Sequence, residues 1–236
     1  MDSILLFDLI KYAYSSYAEN LVWNMFLTST AIHAIILVTS PLQAVIKWCR
    51  RKSSDSDTSI PYLFGFVVSG LWLRYALFIG DTKLALLQTY ATFMQTFYLL
   101  IMAFFRSKKK TILNEVGMVV SVFLLLIHYS NGLPHANGTK LMGRCASGIQ
   151  ILGSLVCPYF IFRVMTTKVI DFIPFALVLF TCVMEIHAII YSIAIDDYYM
   201  LLSNTVFCCM DSCLLSMFFI YPTESNEKKS GFSVTP

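Results

Sequence analysis

The sequence has 236 residues, of which 57% are hydrophobic, 15% aromatic and only 13% charged, with a mean hydropathy of +0.69 and a net charge of +3. A water-soluble domain carries about a quarter charged residues, so this composition excludes a soluble enzyme and places the chain in a membrane. The few basic residues cluster at the ends of apolar runs, which excludes a nucleic-acid partner.

A lipid-spanning helix needs about 20 mostly apolar residues. Taken in order, apolar runs occupy about 21 to 47, 61 to 79, 84 to 105, 112 to 130, 145 to 165, 172 to 195 and 198 to 221, which predicts an all-α membrane protein of seven transmembrane helices. An odd number puts the termini on opposite faces. One face collects twelve basic residues (Lys47, Arg50, Arg51, Lys52, Arg106, Lys108, Lys109, Lys110, Arg163, Lys168, Lys228 and Lys229), the other only Lys11, Lys83, Lys140 and Arg144. Positive charge favours the cytosolic side, so the N-terminus is predicted outside or lumenal and the C-terminus cytosolic. Asn137-Gly138-Thr139 is a glycosylation sequon, predicted in the loop between the fourth and fifth spans on the outer face. Asp8 and Lys11 interrupt the first apolar stretch, and no basic residue precedes it, which predicts no cleaved signal peptide.

Sliding the chain against itself shows a repeat. Trp72, Tyr75, Asp81, Gln88, Thr89 and Gln95 fall on Ala188, Tyr191, Asp197, Asn204, Thr205 and Asp211 at an offset of 116 residues (191 − 75). Ser40-Pro41 pairs with Cys157-Pro158, and Ile60-Pro61-Tyr62 with Ile173-Pro174-Phe175, at nearby offsets. The predicted plan is therefore 3+1+3: an outer segment over 1–20, a three-helix repeat over 21–105, a linker helix and outer loop over 106–144, a second repeat over 145–222 and a cytosolic tail over 223–236. Because one helix separates them, the two copies cross the bilayer in the same direction and face each other across an axis along its normal. Equivalent residues then line opposite walls of a shared cavity, which is transporter geometry.

Pro41, Pro61, Pro158 and Pro174 all lie near the basic loops, and each removes a backbone donor at a level where helices would flex. Pro61 and Pro174 also suit a helix's first turn, so for those two alone both readings stay open. Gln88 and Asn204 occupy matched positions, and amides in lipid need a partner or a wet path; two convergent amides suit a neutral, hydroxyl-rich ligand. Trp72 offers an aromatic face for a sugar ring. Glu185 and Asp211 share helical faces with Ala188 and Asn204. They are candidate pathway acids, with carboxyls hydrogen-bonded to a neighbouring helix as the competing reading.

Seven cysteines lie mostly inside spans and imply no disulfide framework. Cys209 and Cys213 are one turn apart without further ligands, and Cys49 is a juxtamembrane candidate for palmitoylation. His33 and His187 lack metal-ligand spacing and read as packing residues, and Arg74 as one that reaches toward the interface. No metal or cofactor is expected, and no nucleophile, base and oxyanion donors form an enzyme motif.

Ser40-Pro41-Leu42-Gln43 through Tyr98 resembles the first half of a SWEET (MtN3/saliva) sugar transporter, and Cys157-Pro158 through Tyr221-Pro222 the second. Trp72-Leu73-Arg74-Tyr75, Gly80-Asp81, Gln95-Thr96-Phe97-Tyr98, Thr167-Lys168, Ile173-Pro174-Phe175 and Ser203-Asn204 fit the animal-type pattern. Like-oriented repeats are a known property of that family. The resemblance implies facilitated (uniport) passage of mono- or disaccharides at the plasma or Golgi membrane and assembly into homo-oligomers, often trimers. It also implies a gating tetrad of Pro41, Pro61, Pro158 and Pro174, and a sugar-binding asparagine at Asn204. Gln88 stands where the family has a span-three asparagine, and Ala188 where a second aromatic usually caps the site, so a member with lost or altered transport is an alternative. A seven-helix PQ-loop cargo or ligand receptor is another, although a receptor for a peptide carboxylate calls for basic residues where this chain has acids.

Overall fold

The structure, a computed structural model, describes residue 15 and residues 17 to 221. The expected tail 223–236, and most of the expected outer segment 1–20 with its uncleaved start, lie outside the described residues. From Leu21 onward the described residues form nine helices and no strand: α1 (Leu21–Thr39), α2 (Leu42–Arg51), α3 (Ile60–Ile79), α4 (Thr82–Phe104), α5 (Lys109–Asn131), α6 (His135–Ser154), α7 (Val156–Thr167), α8 (Phe175–Ala194) and α9 (Tyr198–Ile220). With α1 and α2 joined as Leu21–Arg51, and α6 and α7 as His135–Thr167, seven spans are long and apolar enough to cross a bilayer. Helix α5 exposes Leu113, Met118, Val122, Leu124 and Leu125. Apolar surface costs about 25 cal/mol per Å² in water, a penalty that lipid removes.

Prolines decide where two spans break. Pro41 has no N–H to offer the Leu37 carbonyl, which instead accepts from the Ser40 backbone N–H (3.2 Å) and hydroxyl (2.8 Å). Pro158 likewise leaves the carbonyl four residues back, on Ser154, without its helical donor, and the fifth span breaks at Leu155. Pro61 is the second residue of α3 and Pro174 precedes the first residue of α8, positions where a missing N–H costs little.

One boundary differs from expectation. The fifth span starts at His135 rather than near 145, so the residues expected as an outer loop are helical. The stretch His135–Arg144 is too polar to register as a span, yet packing holds it: a Cβ on Gly138 would meet Phe78 at 2.8 Å and one on Gly143 would meet Tyr199 at 2.5 Å. Only glycine permits those approaches. Asn137 of the sequon therefore sits, exposed, in the first turn of α6 and not in a loop, with the Thr139 hydroxyl donating to the His135 carbonyl (2.8 Å).

The backbone itself carries the repeat. Positive φ occurs among the described residues at Lys52 (56°), Gly80 (72°), Lys168 (59°) and Asp196 (56°), two pairs again 116 apart (168 − 52 and 196 − 80). In each repeat the third helix packs between the other two: α4 against α1, α2 and α3, and α9 against α6, α7 and α8. The repeats meet where α3 packs on α6 and α1 on α8, and α5 lies against α3, α4 and α6.

The cores divide unequally along this axis. At one end a single cluster joins both repeats, with Leu71, Trp72, Tyr75 and Ala76 of α3, Met142 and Ala146 of α6, Tyr191 of α8 and Met200 of α9. At the end bearing the basic loops there are two clusters. Val45, Trp48, Met94, Tyr98 and Met102 pack within the first repeat, and Cys157, Val164, Ile173, Val178 and Leu214 within the second. The repeats thus share a core at one end only.

The basic loop after α2 is latched onto its own repeat. The Asp57 carboxylate accepts from the indole N–H of Trp48 (2.9 Å) and from Arg51 (2.6 Å), and Arg106 donates to the Asp57 carbonyl (2.7 Å). Burial opposes the charged form of Asp57, but these donors outweigh it and hold the carboxyl below its ordinary 3.8. A depressed folded value means that the latch contributes fully above the ordinary carboxylate range and is lost as pH falls through the lowered value. Asp57→Ala strands the N–H of Trp48, whose side chain is wholly buried. It is expected to lower stability by about 1–3 kcal/mol, read as a lower Tm for the detergent-solubilised protein, with a difference that shrinks at strongly acid pH where the charge-dependent part is lost.

Candidate functional site

Trp72, placed on α3 one turn from the shared core's Ala76, is buried. Its indole N–H donates to Gln150 Oε1 on α6 at 2.7 Å. Gln150 Nε2 donates in turn to Asn204 Oδ1 on α9 at 2.9 Å, and Asn204 Nδ2 donates to the Met200 carbonyl at 2.8 Å. One relay therefore joins the first repeat to the second at the α3–α6 seam. It leaves Asn204 one amide hydrogen and one lone pair unused by partners among the described residues.

The symmetry-related seam is built differently. Ala188 of α8 stands where Trp72 stands in the first repeat, and has no donor. His33 of α1 corresponds to Gln150 at the offset of 117 that relates Pro41 to Pro158 (158 − 41). The His33 ring lies 5.0 Å from that of His187, with its Nδ1 2.9 Å from the Ser29 carbonyl. His187 Nδ1 meets the Val183 carbonyl at 2.8 Å and its Nε2 meets the Ser29 hydroxyl at 3.1 Å, so both histidines pack with hydrogen bonds, in line with their sequence reading. Gln88 is half-buried on α4, and its amide is bonded to no described residue. Of the two matched amides, Asn204 belongs to the relay and Gln88 stays outside it.

Glu185 and Asp211 are both buried, and Asp211 is held by neighbours within the second repeat: the Cys157 thiol of α7 donates to one carboxylate oxygen (3.2 Å) and the Thr181 hydroxyl of α8 to the other (2.6 Å). Arg74 donates to Asn131 Oδ1 and stacks over Phe78 at 4.1 Å.

Beyond the relay, at the end remote from the basic loops, two reciprocal bonds cross between the repeats. Tyr75 OH donates to Asp197 Oδ2 (2.8 Å), and Tyr191 OH donates to Asp81 Oδ2 (2.6 Å). Each aspartate uses its other oxygen to cap its own helix: Asp81 Oδ1 accepts from the N–H groups of Lys83 and Leu84, Asp197 Oδ1 from that of Met200. Cap and cross-link are thus one carboxylate. Above them lies a mouth of about 650 Å³, flanked by Gly80, Lys83 and Tyr198. Sequence reasoning paired these tyrosines and aspartates without seeing that each tyrosine reaches the other copy's aspartate. Gln150 escaped it altogether; its signal was an uncharged amide in the middle of an apolar run.

Three comparisons bear on this architecture. The family model described as "Sugar efflux transporter for intercellular exchange" matches residues 24–110 and again 140–226, once per repeat. The chain is 26% identical over 201 residues to "Bidirectional sugar transporter SWEET14" of Arabidopsis thaliana, covering 80% of this chain and 70% of that one. To "Sugar transporter SWEET1" of Drosophila pseudoobscura pseudoobscura it is 22% identical over 209 residues, covering 86% and 91%. The solved structure of a eukaryotic SWEET transporter superposes with a TM-score of 0.77 at 20% identity, covering 84% of this chain and 95% of that one, which shows the same fold. The family transports and does not catalyse. With its model matched over both repeats, the chain belongs to the MtN3/saliva (SWEET) family of sugar efflux transporters.

Proposed function

We propose that this protein carries a small neutral sugar, a mono- or disaccharide, down its gradient through the gap between the two repeats by alternating access. The observation that carries the reading is the uneven division of the core: one cluster and two Tyr–Asp bonds close one end, while the two repeats pack separately at the other. Rocking the repeats about the relay exchanges which end is sealed, and no bond in the sugar changes.

Each contact has a physical role. The Trp72 face covers the apolar side of a sugar ring, and its N–H is already taken by Gln150, so it adds surface and no polar demand. Asn204 and Gln88 offer amide donors and acceptors to hydroxyls, and Ala188 leaves room where a second aromatic would stand. Pro41 and Pro158 supply the flexible points at the span breaks, and Pro61 and Pro174 complete the ring at the starts of α3 and α8. The basic end, where the repeats pack separately, faces the cytosol by its charge, and Asn137 then lies on the outer face as a glycan acceptor. The protein resides in the plasma or Golgi membrane and assembles as a homo-oligomer, a trimer by resemblance to its family.

The test is counterflow of radiolabelled hexoses and disaccharides into proteoliposomes, comparing the intact chain with Asn204→Ala. The intact chain exchanges at least one of these sugars and Asn204→Ala falls near background. Intact protein that is folded in the bilayer yet exchanges none above empty vesicles would overturn the proposal.

A further inference from the structure

The two repeats hold the same polar niche between their second and third helices, and fill it with different chemistry. In the first repeat the niche is neutral: the Thr92 hydroxyl donates to that of Ser69 (3.0 Å), and Gln95 packs against Gly65 so closely that a Cβ there would meet its side-chain carbonyl carbon at 2.8 Å. In the second repeat the residues 116 further on are Cys208, Glu185, Asp211 and Thr181. Two carboxyls replace a hydroxyl and an amide.

Glu185 is only 8% exposed, and its Oε2 is buried without a hydrogen-bond partner. It lies within charge range of Asp211, Cys157 and Cys208. The facing groups can be followed helix by helix. From α9 come Asp211 and Cys208, from α7 Cys157 and from α8 itself Cys182; His33 of α1 and His187 of α8 are turned to Ser29 and Val183, and Lys140 and Arg144 of α6, which packs on α9, are exposed. Helices α1, α8 and α9 contain no lysine or arginine, and the one arginine of α7, Arg163, is stacked on Phe172 at 4.3 Å. Two buried carboxylates with no cation beside them are untenable in an apolar bundle; at least one positive charge must join them. The thiol and hydroxyl donors are already on Asp211, so the bare oxygen of Glu185 is where it binds.

We propose that Glu185 and Asp211 form a proton-binding site, in which Glu185 holds one proton beside the Asp211 carboxylate, and that this proton couples sugar passage to pH. Binding adds a proton to a carboxylate oxygen and nothing else changes covalently. The coupling runs through the hinge: Cys157 adjoins Pro158 just past the break at Leu155, and its bond to Asp211 ties α7 to α9. With the proton bound, the pair is compact and α7 stays seated. Once it leaves, the two charges repel inside the second repeat and spread α7, α8 and α9. A proton fits better than a metal ion, because among the described residues no group of three His, Cys, Asp or Glu side chains converges on a point.

Infrared spectra and sugar exchange on the same proteoliposomes test this; the exchange arm rests on the transport reading and the infrared arm does not. The intact protein should show a protonated-carboxyl band at neutral pH that both Glu185→Gln and Asp211→Asn alter. Its sugar exchange should fall by about tenfold as the pH is raised from about 7 to about 10, and in Glu185→Gln the ratio of the two rates should collapse toward one. Absence of the band in the intact protein, an unaltered pH ratio in a folded Glu185→Gln protein, or exchange at fixed pH that requires sodium or potassium would each overturn the proposal. If the intact protein moves no sugar at all, the transport reading fails while the band still decides whether the proton is there.

Discussion

Replacing Gln150 by alanine lowers sugar exchange by about 10- to 100-fold, close to the loss expected for Asn204→Ala, although Gln150 has no amide counterpart in the other repeat. Its side chain is the one group bonded to both Trp72 and Asn204. Without it the buried indole N–H and the Asn204 carbonyl oxygen each lose their partner, at about 1–3 kcal/mol apiece, and both side chains are free to turn from the orientation that meets substrate. Small misplacements of binding groups cost about two orders of magnitude in rate. Gln150→Glu discriminates between the two contacts: a carboxylate still accepts from Trp72 but cannot donate to Asn204. Because that carboxylate meets the Asn204 oxygen inside the bilayer, exchange by Gln150→Glu should be as low as for Ala at neutral pH and recover in part at acid pH, where the protonated acid both accepts and donates. Equal exchange by Gln150→Ala and the intact chain, at matched protein content, would mean that the relay plays no part in the site.

That residue also marks how far the sequence was readable. Seven spans were plain because lipid demands long apolar runs, and the repeat was plain because Tyr75, Asp81 and their copies occupy the same places at one offset. Six of the seven spans begin and end within about four residues of where hydropathy put them. The fifth did not: the first three turns of α6 are polar and are held by glycine-permitted contacts with Phe78 and Tyr199, which no hydropathy window registers. Gln150 stayed hidden because its counterpart is a histidine, so the self-comparison that exposed Asn204 passed over it. The differing chemistry of the two seams was legible only in part. Ala188 in place of an aromatic showed in the sequence, but the hydrogen-bond relay on the opposite seam needed coordinates.

Removing both tyrosine hydroxyls, as Tyr75→Phe with Tyr191→Phe, is expected to shift the resting protein from a state closed at the Tyr–Asp end to one open there. Phenylalanine keeps the rings in the shared core, where Tyr75 and Tyr191 are both buried, and leaves Asp81 and Asp197 capping their helices. Aspartate variants would instead lose cap and cross-link together and confuse the two. A hydrogen bond to a charged acceptor contributes about 1.5–3 kcal/mol, so the pair accounts for about 3–6 kcal/mol between the repeats. At tenfold per about 1.4 kcal/mol, that moves the closed-to-open ratio by roughly a hundredfold to ten-thousandfold, enough to invert a two-state population. Because the bonds are reciprocal across the pseudo-two-fold axis, each single variant should produce a similar, intermediate shift. Spin labels at Lys83 and Tyr198, both exposed beside the mouth, read the change as a longer distance population that grows from intact to single to double variant. Sugar exchange should slow in the double variant as well, because a carrier resting open on one side must re-form its closed face without these bonds in every cycle. A distance distribution that is the same in all four proteins would show that the two bonds do not hold this end shut.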